Sequence, residues 1–273
     1  KHGYRFIAAV LPDEEAPPRV VVTQPAPTAD GPSPLRLAWR DGLNIAIAGV
    51  AGAVVAGIVG GICYGMMGAS LANSGTSEGI GEASVLLVLL CVTTGVAILG
   101  GAGVASGIGA ARALAGTRSA ALVLGGALGG LLVGAFVKLV ASDGFRLLVG
   151  HAPGDVTGAG EGAVLGAAIG LGAWLAVVRN WSWRRAGVGA AACGAIAGVL
   201  IVAIGGHLLA GSLDLLVRSM PGARLNLDGI GATFGEVGLG PVSQAALAAL
   251  EGALFAGCVV AAIRLFTGSR TIP

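Results

Sequence analysis

From about residue 42 the chain is almost continuously apolar, and this constrains the fold more than any other feature. Six stretches, roughly 44–69, 84–107, 119–141, 159–178, 187–211 and 243–265, each come near the ~20 residues that a helix needs to cross a bilayer. Within lipid the backbone has no water to bond, so a spanning segment must satisfy its own N–H and C=O groups as a helix. The expected fold is all-α: a polytopic transmembrane bundle of about six glycine-rich helices over 42–268, with a short tail at 269–273. Only 11% of residues are charged, against about 25% in a soluble domain. The 50 glycines show no Gly-X-Y period, which excludes collagen, and small residues are what membrane helices use to pack closely. Cys63, Cys91, Cys193 and Cys258 sit inside apolar runs and read as small core residues.

Charge gives an independent test of the span count. Arg36 and Arg40 precede the first span, Arg112 and Arg118 follow the second, Arg179, Arg184 and Arg185 follow the fourth, and Arg264 and Arg270 end the sixth. Asp41 is the one acid in those segments. The alternate connections hold Glu78 and Glu82, Asp143 and Asp155, then Asp214, Asp228 and Glu236. An even number of spans with the basic segments inside puts both ends in the cytoplasm. Trp39, Trp181 and Trp183 stand beside the basic residues, where interfacial aromatics belong.

The spans read as three hairpin repeats. Glu82, Glu161 and Glu251 each sit in a small-residue phrase near the start of a hairpin's second helix. The outer connections around Arg146 and Arg218 are amphipathic and suit short surface helices. Glycines recur at four-residue spacing: Gly57, Gly61 and Gly65; Gly126, Gly130 and Gly134; Gly162, Gly166 and Gly170. Each set forms a flat groove along one helix face. Packing within the chain is favoured over oligomerisation, although a homo-oligomer is compatible.

The glutamates are the sharpest polar signal. A carboxylate at membrane depth costs a few kcal/mol on insertion scales and needs a partner, water or a proton. Two readings stand side by side: a sensing or ion-binding cluster at the outer mouth, or helix-start acids complementing the macrodipole. Glu251 lies deepest in its apolar run. His207, late in the fifth span, can titrate near neutral pH, as can His151 in an outer connection. No metal-ligand spacing, nucleophile elbow, P-loop or dinucleotide fingerprint occurs in a plausible context, so neither an enzyme nor a cofactor is expected.

Residues 11–41 are rich in Pro, acids and Thr, and read as an extended, largely disordered linker. Before it stands Lys1-His2-Gly3-Tyr4-Arg5-Phe6. Gly3 suits a hairpin turn, while Tyr4 and Phe6 alternate to one face and Arg5 to the other. The string resembles the last β-hairpin of the OmpR/PhoB-type winged-helix DNA-binding domain. CadC/ToxR-like membrane-bound regulators share the order of winged helix, Pro-rich linker and membrane segment. The resemblance covers about ten of 273 residues. It implies that Lys1, Gly3, Tyr4 and Arg5 lie near DNA, that the recognition helix lies upstream, and that the chain is a piece of a longer protein. The expected role is the anchor and sensor part of a one-component regulator in a bacterial inner membrane, with the bilayer as partner and DNA reached only through the upstream domain. Such regulators usually have one span, so sensing here has to lie in the bundle. The alternatives are a small transporter or channel, or a scaffold without ligand.

Overall fold

Why the apolar runs become helices that stop where they do is decided by a few turn residues. The computed structural model describes residues 33–72, 80–149, 158–219 and 228–268. The KHGYRF string, with Lys1, Gly3, Tyr4 and Arg5, lies outside the described residues, as does His151. The helices are α1 (Pro34–Ala72), α2 (Ile80–Ala115), α3 (Ser119–Val149), α4 (Ala159–Val178), α5 (Trp183–Ala203), α6 (Leu209–Ser219), α7 (Asp228–Thr233) and α8 (Pro241–Gly268). Among the described residues the chain is an all-α polytopic bundle, and six helices (α1–α5 and α8) are long and apolar enough to cross a membrane. The 20 residues of α4 rise about 30 Å, the thickness of a hydrocarbon core.

Helix α1 begins at Pro34, so residues 34–41, read as the end of the linker, are helical. Proline suits the first helical position because its fixed φ is pre-set and its missing N–H had no partner to lose. The segment around Arg146 is likewise no separate surface helix: α3 continues through it to Val149. The fifth span is shorter than expected. It stops at Ala203, where the N–H groups of Gly205 and Gly206 donate to the carbonyls of Val202 and Ile201 at 3.0 and 2.8 Å. Gly205 sits at φ +83°, the left-handed conformation that closes such a Schellman motif. His207 is therefore in the α5–α6 turn, not within a helix. Helix α4 ends the same way, with Asn180 at φ 45° and Trp181 N–H donating to Ala176 O at 3.0 Å.

The spanning helices pair as three hairpins, α1/α2, α3/α4 and α5/α8, which close into a ring as α2 meets α3, α4 meets α5 and α8 meets α1. Glycine sets these crossings. A Cβ on Gly126 would strike the Gly166 carbonyl, one on Gly130 the Gly162 carbonyl, and one on Gly134 the Gly158 carbonyl. Gly170 meets Leu122 O, and Gly57, Gly61 and Gly65 sit against Thr94, Leu90 and Leu86 of α2. Gly194 and Gly252 do the same for α5/α8. All nine glycines picked out by spacing thus face a neighbouring helix of their own chain. With large side chains removed from the crossings, the interior is mostly Ala, with Ile, Leu and Val, while Leu124, Leu128, Leu132 and Phe136 of α3 point outward, as lipid-facing residues do.

The basic end is tied together by Arg264, whose guanidinium donates to Trp181 O at 2.9 Å and so joins the end of α8 to the α4–α5 turn. Arg184 lies 5.2 Å over the Trp183 ring. At the opposite end α6 does not lie loose on the surface. Leu208 and Ala210 are buried, and Leu209 and Leu213 pack on a cluster that includes Tyr64, Leu89 and Leu247.

Candidate functional site

Inside the ring is a cavity of about 200 Å³, walled by α1–α4, α8 and the turn leading into α6. Its wall follows from the glycine pattern. Gly57, Gly130, Gly134, Gly162 and Gly166 bring backbones together at the crossings, and Val133, Leu165, Leu254 and Phe255 supply the apolar surface between them. The polar side chains in the lining are Tyr64, Thr93 and Glu251. The Thr93 hydroxyl is already committed to Leu89 O, at 2.5 Å.

Glu251 sits in the middle of α8, and its carboxylate is held by three neutral donors. The Tyr64 hydroxyl from α1 donates to Oε1. Ala210 N–H donates to the same oxygen at 2.7 Å, and Leu209 N–H to Oε2 at 2.9 Å. Leu209 and Ala210 open α6, whose first N–H groups have no partner within the helix. Glu251 therefore caps a helix other than its own, with its oxygens at the positive end of the α6 dipole. A second cavity of about 10 Å³, the size of one water, lies between Glu251, His207 and Gln244.

Glu161 closes the other flank of the same turn. It stands in the first turn of α4 and accepts the Gly158 N–H at 3.0 Å, which is half of a capping box, since Gly158 has no side chain to return the bond. A Cβ on Gly206 would lie 3.0 Å from Glu161 Oε1, so the α5–α6 turn passes directly over this carboxylate. Lys138 Nζ is close by, 3.5 Å from the Cβ position of Gly158. Glu161 and Glu251, distant in sequence, thus flank residues 206–210, the segment that carries His207. Glu82 falls in the first turn of α2, and its side chain lies outside the described part of the structure.

A third capping acid had been read only as one of the outer-side charges. Glu236, in the loop before α8, accepts Ser243 N–H at 2.8 Å and Val242 N–H at 2.9 Å. Hydrogen bonds from Ser243 first, and from Val242 after it, hold this carboxyl below its ordinary pKa.

Tyr64 was missed by the sequence reading. The signal was there: the chain has two tyrosines, and a phenol inside an apolar span has to find an acceptor. Among the described residues no group of three His, Cys, Asp or Glu is placed to hold a metal. No family model matches the chain, and neither a curated protein nor a solved structure is significantly similar to it.

Proposed function

We propose that this chain is the membrane-embedded anchor and sensor part of a one-component transcriptional regulator, with its winged-helix DNA-binding domain mostly upstream of Lys1. The order of elements carries the reading: KHGYRF, a Pro-rich linker, then a spanning helix entered from a basic end. The positive-inside rule puts Arg36, Arg40 and Arg112 in the cytoplasm, where an attached DNA-binding domain has to be. The host membrane in this reading is a bacterial inner membrane. A signal acting within the bundle biases the regulator through its differential affinity for two bundle states. The short α6 segment, joined to α8 through Glu251 and seated through Leu209 and Leu213, is the element we assign to the change between the two states. A transporter for hydrophilic solutes fits less well, since a lining with Tyr64, Thr93 and Glu251 as its polar side chains offers little to replace a hydration shell.

The test is the gene read upstream of Lys1, followed by DNA binding of the detergent-solubilised full-length protein. An upstream winged helix and specific, salt-dependent binding to a promoter fragment are expected. An upstream frame without such a domain, or binding indistinguishable from that to random DNA, overturns the reading.

A further inference from the structure

We infer that the central cavity is a binding site for a small lipophilic monocation, an organic ammonium whose charge rests at Glu251 and whose apolar body lies between α1, α2, α3, α4 and α8. The inference does not depend on an upstream DNA-binding domain.

Size comes first. At about 200 Å³ the half-open space exceeds the ~150 Å³ of an enclosed apolar cavity known to take benzene, so it admits a molecule larger than benzene. The walls ask for an apolar body. Val96, Val133, Val137, Leu165 and Leu254 supply aliphatic surface, and the glycine faces leave flat slots between them.

Charge comes second. Glu251 is the one acidic residue in the lining, and no lysine or arginine lines it. The carboxylate's hydrogen-bond donors are the Tyr64 hydroxyl and the N–H groups of Leu209 and Ala210, all neutral, and His207 faces it across the small second cavity. Once ionised, the carboxyl is stabilised by these dipoles but keeps its net charge inside an apolar bundle. A monocation in the cavity compensates that charge where little water screens it. Phe255, one turn along α8 from Glu251, lines the same space and presents an aromatic ring to the cation.

The oxygen count argues against calcium. Calcium needs six to eight oxygens, and the lining side chains offer the Glu251 carboxylate and two hydroxyls. A quaternary ammonium is weakly hydrated and gives up little on entering. A dication leaves one charge unanswered.

Two probes of nearly the same shape separate charge from shape: benzyltrimethylammonium and its neutral isostere neopentylbenzene. Binding to the purified whole chain in detergent is measured by calorimetry against a micelle blank. The ammonium is expected to bind once per chain and at least ten-fold tighter than the hydrocarbon. Sodium at a hundred-fold excess is expected not to displace it. Gly60→Leu is expected to abolish both, because a Cβ at Gly60 meets Thr93 Cγ2 at 3.4 Å and Leu254 Cδ2 at 3.8 Å, so a longer side chain grows into the cavity. Glu251→Gln is expected to keep the hydrocarbon and lose the ten-fold preference. Should Glu251→Gln fail to fold for want of the α6 cap, Tyr64→Phe replaces it. That variant removes a neutral donor, leaves the carboxylate, and is expected to tighten ammonium binding several-fold. Equal or tighter binding of the hydrocarbon by the wild type, no saturable binding of either probe, indifference to Gly60→Leu, or unchanged or weaker ammonium binding in Tyr64→Phe overturns the inference.

Discussion

Glu251 has to be understood together with the donors that reach it. In a bundle interior a polar group is tolerated when it is bonded, and here one carboxylate satisfies a phenol and two helix-start N–H groups at once. Glu251→Ala strands all three donors. Unsatisfied buried groups cost about 1–3 kcal/mol each in soluble proteins, but interhelical hydrogen bonds in membrane bundles average nearer ~0.6 kcal/mol. The smaller figure is the better guide, giving a loss of about 2 kcal/mol, with Glu251→Gln milder because one acceptor oxygen remains. Thermal unfolding in detergent checks the order Ala worse than Gln; equal stability of all three forms contradicts the capping role.

Glu236 makes a prediction in pH. Its carboxyl is held below the ordinary value by Ser243 and Val242, so its contribution to the α8 start is complete above the unfolded pKa of about 4.3 and fades as pH falls through the lower folded value. The amide shifts of Val242 and Ser243 are expected to titrate together with a midpoint below 4.3, and to lose that titration in Glu236→Gln. A midpoint at or above the ordinary value refutes the account. Of these groups, Glu161 and Glu251 were legible from one-dimensional position. Their bonding was not, because Tyr64 is 187 positions from Glu251 and Leu209 is 42.

At the level of helices, what matters is which face each glycine turns to its neighbour. Gly130 and Gly95 are both interior helix glycines, yet a Cβ on Gly130 falls on the Gly162 carbonyl while one on Gly95 meets nothing within 4 Å. Gly130→Ala forces α3 and α4 apart and is expected to cost about 1–3 kcal/mol, the usual cost of overpacking. Gly95→Ala is expected to be neutral or to stabilise by up to about 1 kcal/mol, since alanine loses less backbone entropy in a helix. Melting temperatures of the two variants settle it, and a Gly95→Ala as damaging as Gly130→Ala contradicts the assigned packing. The four-residue spacing made Gly130 visible in the sequence. It did not tell Gly130 from a lipid-facing glycine, because the spans are apolar on every face and periodicity marks no inner side. The α5 boundary was misread for a related reason: hydropathy continues through Leu208 and Leu209, and the stop is made by the left-handed Gly205.

For the molecule as a whole, the ring of three hairpins requires an even number of crossings and places each connection on a definite side. Thr117, Asn180 and Val237 are exposed residues in three connections. With the four native cysteines changed to serine, Thr117→Cys and Asn180→Cys are expected to react with an impermeant maleimide from one side of sealed vesicles, and Val237→Cys from the other. Labelling of all three from one side is incompatible with six spans arranged in this order.

Helical character, span number and the segregation of arginines are properties of local composition. A sum of transfer free energies over about 20 residues is nearly blind to what the segment touches, so the sequence carried them in full. The hairpin ring, the choice of glycine contacts and the cavity depend on the rotation and register of each helix about its axis. Those are set by close fit between distant backbones, where a single Cβ decides whether two helices meet. The cap of α6 by Glu251 belongs to the same class, for it exists because the fold carries a break at Gly205 back over the middle of α8.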